Sequence, residues 1–466
     1  MKTKNNKGIN RRDFLKLFGG GAAVTTAAMA GYHVEAAERG GFASPEKPTG
    51  KMTYRKCNDG TEVSILGYGC MRWPSNKDET GKRVIDQDAV NKLVDYAIEH
   101  GVNYFDTAPA YGDSERVTGI ALHRHPRDKY LIATKVSNFS PEQFGKDATL
   151  EMYHNSFKRL QVDYIDFLLL HGIGMGGMDA FNKRFIDNGI LDFLLEERKA
   201  GRIRHLGFSY HGDVEVFDYL LAHHDKYHWD FAQIQLNYVD WNYAKTMNKR
   251  NTDANYLYEE LGKRNIPAVI MEPLLGGRLA NLPDHQVNQM KQYNPENSVA
   301  SWAFRYAGSL PKVLTVLSGM TYMENLQDNL KSFSPLTPVN DKEKQILANI
   351  AEMYANFPLI PCTACRYCMP CPYGIEIPTV FKHYNKCVSE NITPDNMQDA
   401  NYRKSRQAFL FGEDGSVPRL RQAEQCVGCR HCEPHCPQSI KIPEMMQRVN
   451  KYVAELKVSD GNTTTK

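Results

Sequence analysis

Eight of the eleven cysteines fall in two short runs, which read C-T-A-C-R-Y-C-M-P-C-P from Cys362 and C-V-G-C-R-H-C-E-P-H-C-P from Cys426. The runs are copies of one another. Cys362, Cys365 and Cys368 map onto Cys426, Cys429 and Cys432 at an offset of 64, while Cys371, Ile375, Ile377 and Pro378 map onto Cys436, Ile440, Ile442 and Pro443 at 65, so one residue around His435 separates the copies. Three thiols at two-residue spacing are suited to hold a metal centre rather than to form crosslinks. Zinc is one occupant of such sites, but zinc knuckles usually separate two C-x2-C pairs by a longer loop. Here three closely spaced cysteines are followed by Cys-Pro, twice.

The second run has the C-x2-C-x2-C-x3-C-P spacing of bacterial two-cluster ferredoxins and resembles them; the first run departs by having two residues before its last cysteine. The resemblance implies two 4Fe-4S clusters in a small, mainly helical, ferredoxin-like domain over residues 362–456. It also implies that the fourth cysteine of each run reaches across to the other cluster. Cluster one would then take Cys362, Cys365, Cys368 and Cys436, and cluster two Cys426, Cys429, Cys432 and Cys371, with Cys387 as a substitute for Cys371. Ligation would contribute folding free energy to a domain of modest core.

A chain of 466 residues with 42% hydrophobic and 24% charged side chains can bury more than one core. Length suggests about three domains. Its 57 basic and 54 acidic side chains give no excess of the kind that marks nucleic-acid binders. The surplus that exists is local. Lys2, Lys4, Lys7, Arg11, Arg12 and Lys16 precede an uncharged Gly/Ala/Thr-rich run from Leu17 to Val34, the plan of a signal peptide over residues 1–36. Its glycines and threonines make that run weakly apolar for a membrane span. N-R-R-D-F-L-K at Asn10 to Lys16 resembles the twin-arginine export signal. That resemblance implies passage through the twin-arginine translocase, with cleavage after Ala36 or Ala30, and a periplasmic or outer-face location; an unused leader would leave the chain in the cytoplasm. Without the leader's six basic and two acidic residues, the totals fall from 57 and 54 to 51 and 52, a net −1.

Between Gly60 and Asn329, short Val/Ile/Leu/Tyr-rich runs alternate with amphipathic helical stretches, as repeated βα units require. Eight strands are expected: Leu66 to Met71, Asn103 to Asp106, Tyr130 to Lys135, Tyr164 to His171, Arg204 to Ser209, Ala232 to Asn237, Ala268 to Glu272 and Val313 to Ser318. Eight units in that length suit a closed (β/α)8 TIM barrel over residues 52–332, followed by a linker and helix over 333–361. A doubly wound open sheet is the alternative.

Polar residues at the C-terminal ends of barrel strands are where such folds build their chemistry. Asp106, Lys135 and His171 end strands two, three and four, and Tyr111 stands five residues after Asp106 in F-D-T-A-P-A-Y-G. Reduction of a carbonyl builds negative charge on its oxygen, so a proton donor must lie within reach. A tyrosine, with an ordinary pKa of about 10, is helped by a nearby cation that stabilises the phenolate, and a carboxylate keeps a buried lysine charged.

These stretches, with A-T-K ending at Lys135, L-L-L-H-G containing His171 and P-L-L-G-G at Pro273 to Gly277, resemble the aldo/keto reductase family. The resemblance makes Tyr111 the proton donor, Lys135 and Asp106 its electrostatic support, and His171 the group that orients a carbonyl or alcohol substrate. It also implies NAD(H) or NADP(H), with Ser209 and Gln233 at the nicotinamide carboxamide and Gly276 and Gly277 near the pyrophosphate. The chain departs from the family at Tyr210, where asparagine is common, and at Met271, where an aromatic ring often stacks. After strand eight, S-G-M-T-Y-M-E-N-L-Q-D-N has no basic residue for a 2′-phosphate. The expected protein is an exported oxidoreductase whose clusters exchange electrons with a redox partner protein. The alternatives are an electron carrier that uses its barrel as a docking scaffold, and a nicotinamide-dependent reductase with structural clusters.

Overall fold

The structure is a computed structural model that describes residues 50–80, 83–247, 251–282, 284–355, 359–390, 392–394 and 401–458. The leader lies outside the described residues. Eight parallel strands close into a barrel: β1 (Leu66–Gly69), β2 (Tyr104–Asp106), β3 (Leu131–Val136), β4 (Ile165–Ile173), β5 (Ile203–Tyr210), β6 (Phe231–Gln235), β7 (Ala268–Met271) and β8 (Val313–Ser318). The open-sheet alternative is excluded by closure, since β8 pairs with β1 through Val316 and Leu66, Leu317 and Gly67, and Ser318 and Tyr68. Tyr104, Ala133, Phe167, Leu169, Phe231, Val269 and Leu314 fill the barrel interior. A hairpin of strands Tyr54–Lys56 and Glu62–Ser64 adds Cys57 and Val63 to that interior cluster. It closes the end away from the C-terminal strand ends, leaving the latter free to carry a site.

Helices surround the strands because their apolar residues fall on one face. In the helix Gln87–Glu99, Val90, Leu93, Val94 and Ala97 are buried, and Asp86 caps its start by accepting a bond from Ala89 N–H. After the barrel, the helix Asp341–Ala355 packs Leu347, Ile350, Ala351 and Tyr354 against Val299, Trp302 and Ala303. A buried two-pronged ion pair fastens it there, with Arg305 Nη1 and Nη2 donating to Glu343 Oε1 and Oε2 at 2.7 and 2.8 Å.

The cysteine-rich region has a core of its own, including Ile375, Ile377, Phe381, Phe409, Ile440, Ile442 and Met446. The sequence repeat is also a backbone repeat. Ala364 and Gly428, Arg366 and Arg430, and Gly374 and Ser439 are equivalent pairs, and all six residues have positive φ. The two runs then lead into equivalent helices, Ile377–Ser389 and Ile442–Val458. G-E-D-G-S at Gly412 to Ser416, which has the composition of a turn, lies instead within the helix Tyr402–Ser416. Packing explains this: a Cβ on Gly412 would come within 2.7 Å of His383 Cε1, so glycine permits close approach of two helices. Cys387 sits in this core with Sγ 3.5 Å from His383 Nε2.

Replacing Glu343 with alanine would leave the Arg305 guanidinium buried and unpaired, a change that costs about 3–5 kcal/mol. The expected result is a lower denaturant midpoint for Glu343→Ala than for the parent, with Glu343→Gln falling between them.

Candidate functional site

Four side chains expected to act together meet at the C-terminal end of the barrel. Lys135, inward-pointing on β3, donates from Nζ to Asp106 Oδ1 at 2.5 Å and to the Thr107 carbonyl at 2.8 Å. Both partners are almost fully buried, with side-chain exposures of 1% and 4%. The ammonium lies 5.1 Å from the centre of the Tyr111 ring. Tyr111 closes the short 3-10 turn Pro109–Tyr111, which directly follows β2 and begins with a proline whose fixed φ suits a helical start. The His171 ring meets Tyr111 edge-on, with ring centres 5.9 Å apart.

The electrostatics differ from the simplest expectation for Tyr111. Its hydroxyl is held well above the ordinary tyrosine range, first by burial and then by Tyr367 and Asp106. Lys135 therefore does not produce a resting phenolate; desolvation outweighs it, and Tyr111 keeps its proton. Burial likewise pushes the Asp106 carboxyl up against the opposing pull of Lys135. His171 is pushed well below the ordinary histidine range by burial and then by Lys135, so its imidazole is neutral. Ser137 Oγ lies 2.7 Å from His171 Nδ1, which leaves Nε2 as the nitrogen available to a substrate oxygen.

Sequence reasoning missed the supports behind these groups. Arg184, buried and lowered to about 9 by desolvation, donates to the carbonyls of His171, Gly172 and Asn138. It anchors the Gly/Met-rich segment after β4, which folds into the short helix Gly177–Phe181. Ser137 had a weak signal in its position two residues beyond Lys135, the spacing that returns a strand residue to the same face.

The residues expected at a nicotinamide fare unevenly. Ser209 Oγ accepts a bond from the Gly172 N–H at 2.8 Å. Gln233 lies beside Asp106, and its Oε1 is buried without a hydrogen-bond partner, a fit for a carboxamide N–H. Gly276 and Gly277 form a left-handed turn after β7, but the turn is covered: a Cβ on Gly276 would fall 2.6 Å from both Cα and O of Thr363. The carboxamide end of a dinucleotide has a matching acceptor, whereas the pyrophosphate end meets the cysteine loop. These residues do not fit the whole cofactor.

The cysteines assemble in the two crossed sets. Cys362, Cys365, Cys368 and Cys436 line one cavity together with the apolar Ile377, Phe381, Ile440 and Ile442 and with Thr363, Arg366 and Gln438. Cys432 interacts with Cys371, Cys426 and Cys429. Four thiols around one apolar void are the donor set and setting that a 4Fe-4S cluster requires. Cys57, Cys70 and Cys387 are buried elsewhere, and Cys70 Sγ is 3.6 Å from the Tyr68 carbonyl.

The first set is seated on the barrel. Arg72, just after β1, donates from Nη2 to the Thr363 carbonyl at 2.8 Å, and Gln438 donates from Nε2 to Gln235 Oε1 at 3.1 Å. Tyr367 comes up against Tyr111, where the two hydroxyls interact. Between them opens a cavity of about 630 Å³, lined on the barrel side by Met71 to Asn76, Arg83, Ala110, Tyr111, Thr321 and Tyr322, and on the other by Ala364 to Tyr367. Cys365 and Tyr111 thus face the same chamber.

A depressed imidazole is neutral above its lowered pKa, and a raised phenol stays protonated as pH rises through its ordinary value. Neither His171 nor Tyr111 should therefore titrate between their ordinary values of 6.5 and 10.0. The kcat/KM profile, normalised to cluster absorbance, should show no limb from these groups in that interval; an acid limb near 6.5 that disappears in His171→Asn would contradict the assignment.

Residues 65–352 match the family model described as aldo/keto reductase family, and residues 361–440 match that of a 4Fe-4S dicluster domain. L-galactose dehydrogenase of Arabidopsis thaliana is 31% identical over 170 residues, which cover 35% of this chain and 50% of that protein. D-arabinose 1-dehydrogenase of Saccharomyces cerevisiae is 39% identical over 87 residues, covering 17% of this chain and 26% of that protein. The chain thus spans half or less of these curated relatives. An aldo-keto reductase structure from Bacillus halodurans, in its holo form, superposes with a TM-score of 0.51 at 22% identity, covering 64% of this chain and 96% of that one, a likeness of fold. With most of the barrel matched by the family model and its strands closed in the same architecture, the chain belongs to the aldo/keto reductase family.

Proposed function

We propose that this chain is an exported oxidoreductase that interconverts a carbonyl and an alcohol, with two 4Fe-4S clusters carrying electrons between the barrel and a redox partner protein. The observation that carries the reading is the shared chamber, in which a cysteine of the first set and the proton donor Tyr111 face one space. Turning a carbonyl into an alcohol takes two electrons and two protons. Bound clusters supply electrons singly, and two clusters hold the pair that the reaction needs. Tyr111, protonated at rest, hands its proton to the carbonyl oxygen as charge builds there, and Lys135 stabilises the phenolate left behind. Asp106 keeps that lysine charged in a buried setting. His171 orients the oxygen through Nε2, and water provides the second proton.

The second set supports the outward half of the route. Cys429 is exposed, as are the neighbouring Val427 at 62% and Tyr373 at 52%, which offers a partner protein an apolar contact beside that cluster. The twin-arginine leader supports export after folding and cluster insertion. The relatives named for L-galactose and D-arabinose support a small polar substrate, one that the chamber's volume accommodates.

A nicotinamide-dependent reductase with structural clusters is the second reading, and the unpartnered Gln233 Oε1 favours it. Thr363 lying against Gly276 opposes it.

Tyr111→Phe should abolish turnover in the anaerobically purified protein while the cluster absorption and EPR signals stay unchanged; undiminished turnover would instead support an electron carrier with an inert barrel. In a separate anaerobic titration, neither NADH nor NADPH should bind the holo protein, and stoichiometric binding of either would favour the second reading.

A further inference from the structure

The chamber between Tyr111 and the cysteine loop is cationic. Arg72 and Arg83 line it from the barrel side and Arg366 from the loop, and no aspartate or glutamate is among its lining residues. The three arginines are not equally committed. Arg366 Nη2 pairs with Glu376 Oε2 at 3.2 Å, which largely compensates its charge. Arg83 donates from Nε to Ser75 Oγ at 2.5 Å and from Nη2 to the Trp73 carbonyl at 3.5 Å, both neutral acceptors. Arg72 donates to another neutral acceptor, the Thr363 carbonyl. Glu272 interacts with Arg72 but does not line the chamber. Asp106 is already paired with Lys135.

Two guanidinium groups therefore face the space beside Tyr111 with neutral hydrogen-bond acceptors only. A guanidinium presents a planar fork of donors that matches a carboxylate or phosphate in two-point contact. Arg72 is half-buried in the chamber wall and Arg83 is exposed at its rim, so a contact with Arg72 is the better shielded from water and the stronger of the two. Ser75, Asn76 and Thr321 add neutral polar groups suited to substrate hydroxyls.

We propose that the substrate of this site is an anion: a hydroxy or oxo compound that carries a carboxylate or phosphate, held by Arg72 and Arg83 while its reacting oxygen lies at Tyr111. This rests on the oxidoreductase reading for the identity of the reacting group, but the anion contact is a matter of binding alone. It also gives Arg366 a place as the third wall of the anion site, contributed by the cysteine loop itself.

Isothermal titration of the anaerobically purified full-length holo protein with D-glucuronate, D-glucose 6-phosphate and D-glucose tests it, since the three differ in charge at similar size. At least one of the two anions should bind about tenfold or more tightly than D-glucose, the scale of one charge-assisted hydrogen bond. Which anion binds distinguishes carboxylate from phosphate, and the affinity should fall as salt is raised. Arg83→Gln, on a hairpin remote from the cluster cysteines in sequence, should weaken the anion by about tenfold. Arg124→Gln, a surface pair with Asp95, should leave it unchanged. Equal binding of all three sugars, binding of neither anion, or an Arg83→Gln variant with parental affinity would overturn the proposal. Tyr111→Phe should retain anion binding, so a failure of the catalytic reading and a failure of the anion site are separate outcomes.

Discussion

The seating of the cysteine-rich region on the barrel turns on one backbone contact. Gly276, without a side chain, lets the Thr363 peptide lie directly on the turn after β7, where any Cβ would collide with it. Arg72, two strands round the barrel from that turn, holds the same peptide through the Thr363 carbonyl. A loop fixed at Thr363 has little freedom over the next few residues, because Cys362 and Cys365 on either side line one cavity. Tyr367 is consequently delivered to Tyr111, and the cysteine cavity is brought beside the barrel's own chemistry. A turn that the family resemblance would give to a pyrophosphate is here occupied by protein.

The barrel site is built on a different kind of constraint. Lys135 and Asp106 are buried together, and neither could be buried alone at acceptable cost. Their pairing permits a full charge close to Tyr111 in a setting where desolvation keeps that phenol protonated. The combination separates two requirements that conflict in water: the donor must hold its proton at rest and release it when an oxygen nearby becomes negative. His171 is set by the same logic, since burial keeps its ring neutral and Ser137 engages Nδ1, leaving Nε2 free.

Much of this was legible in the sequence because it repeats with a period. All eight strands occur where alternating βα pattern placed them, with ends moved by a few residues; the fourth runs on to Ile173 rather than stopping at His171. The candidate site group was legible because Asp106 ends its strand and Lys135 and His171 lie within two residues of the ends of theirs, and barrel topology gathers strand ends. The paired cysteine sets followed from spacing through the resemblance to ferredoxins. What escaped has no local signature. Tyr367 is one aromatic residue inside a cysteine loop, and Arg72 one arginine after a strand; their roles arise from how two distant segments dock. The helix through Gly412 to Ser416 was hidden for a related reason, as Gly412, placed for close packing against His383, helps give the stretch the composition of a turn. The protonation of Tyr111 depends on the balance of burial against charge, which only three-dimensional surroundings fix.

Exposure divides the two cysteine sets. The four thiols of the inner set are all half-buried beside Ile377, Phe381 and Ile440, whereas in the outer set Cys432 is buried but Cys429 stands at the surface. In the proposed route the outer cluster is the door for electrons, and the same opening admits small oxidants. Dioxygen or peroxide would attack there first and cut the barrel off from its supply while leaving the inner centre sheltered. A protein of this design would lose its connection before it lost its chemistry, and repair of one exposed centre would restore it.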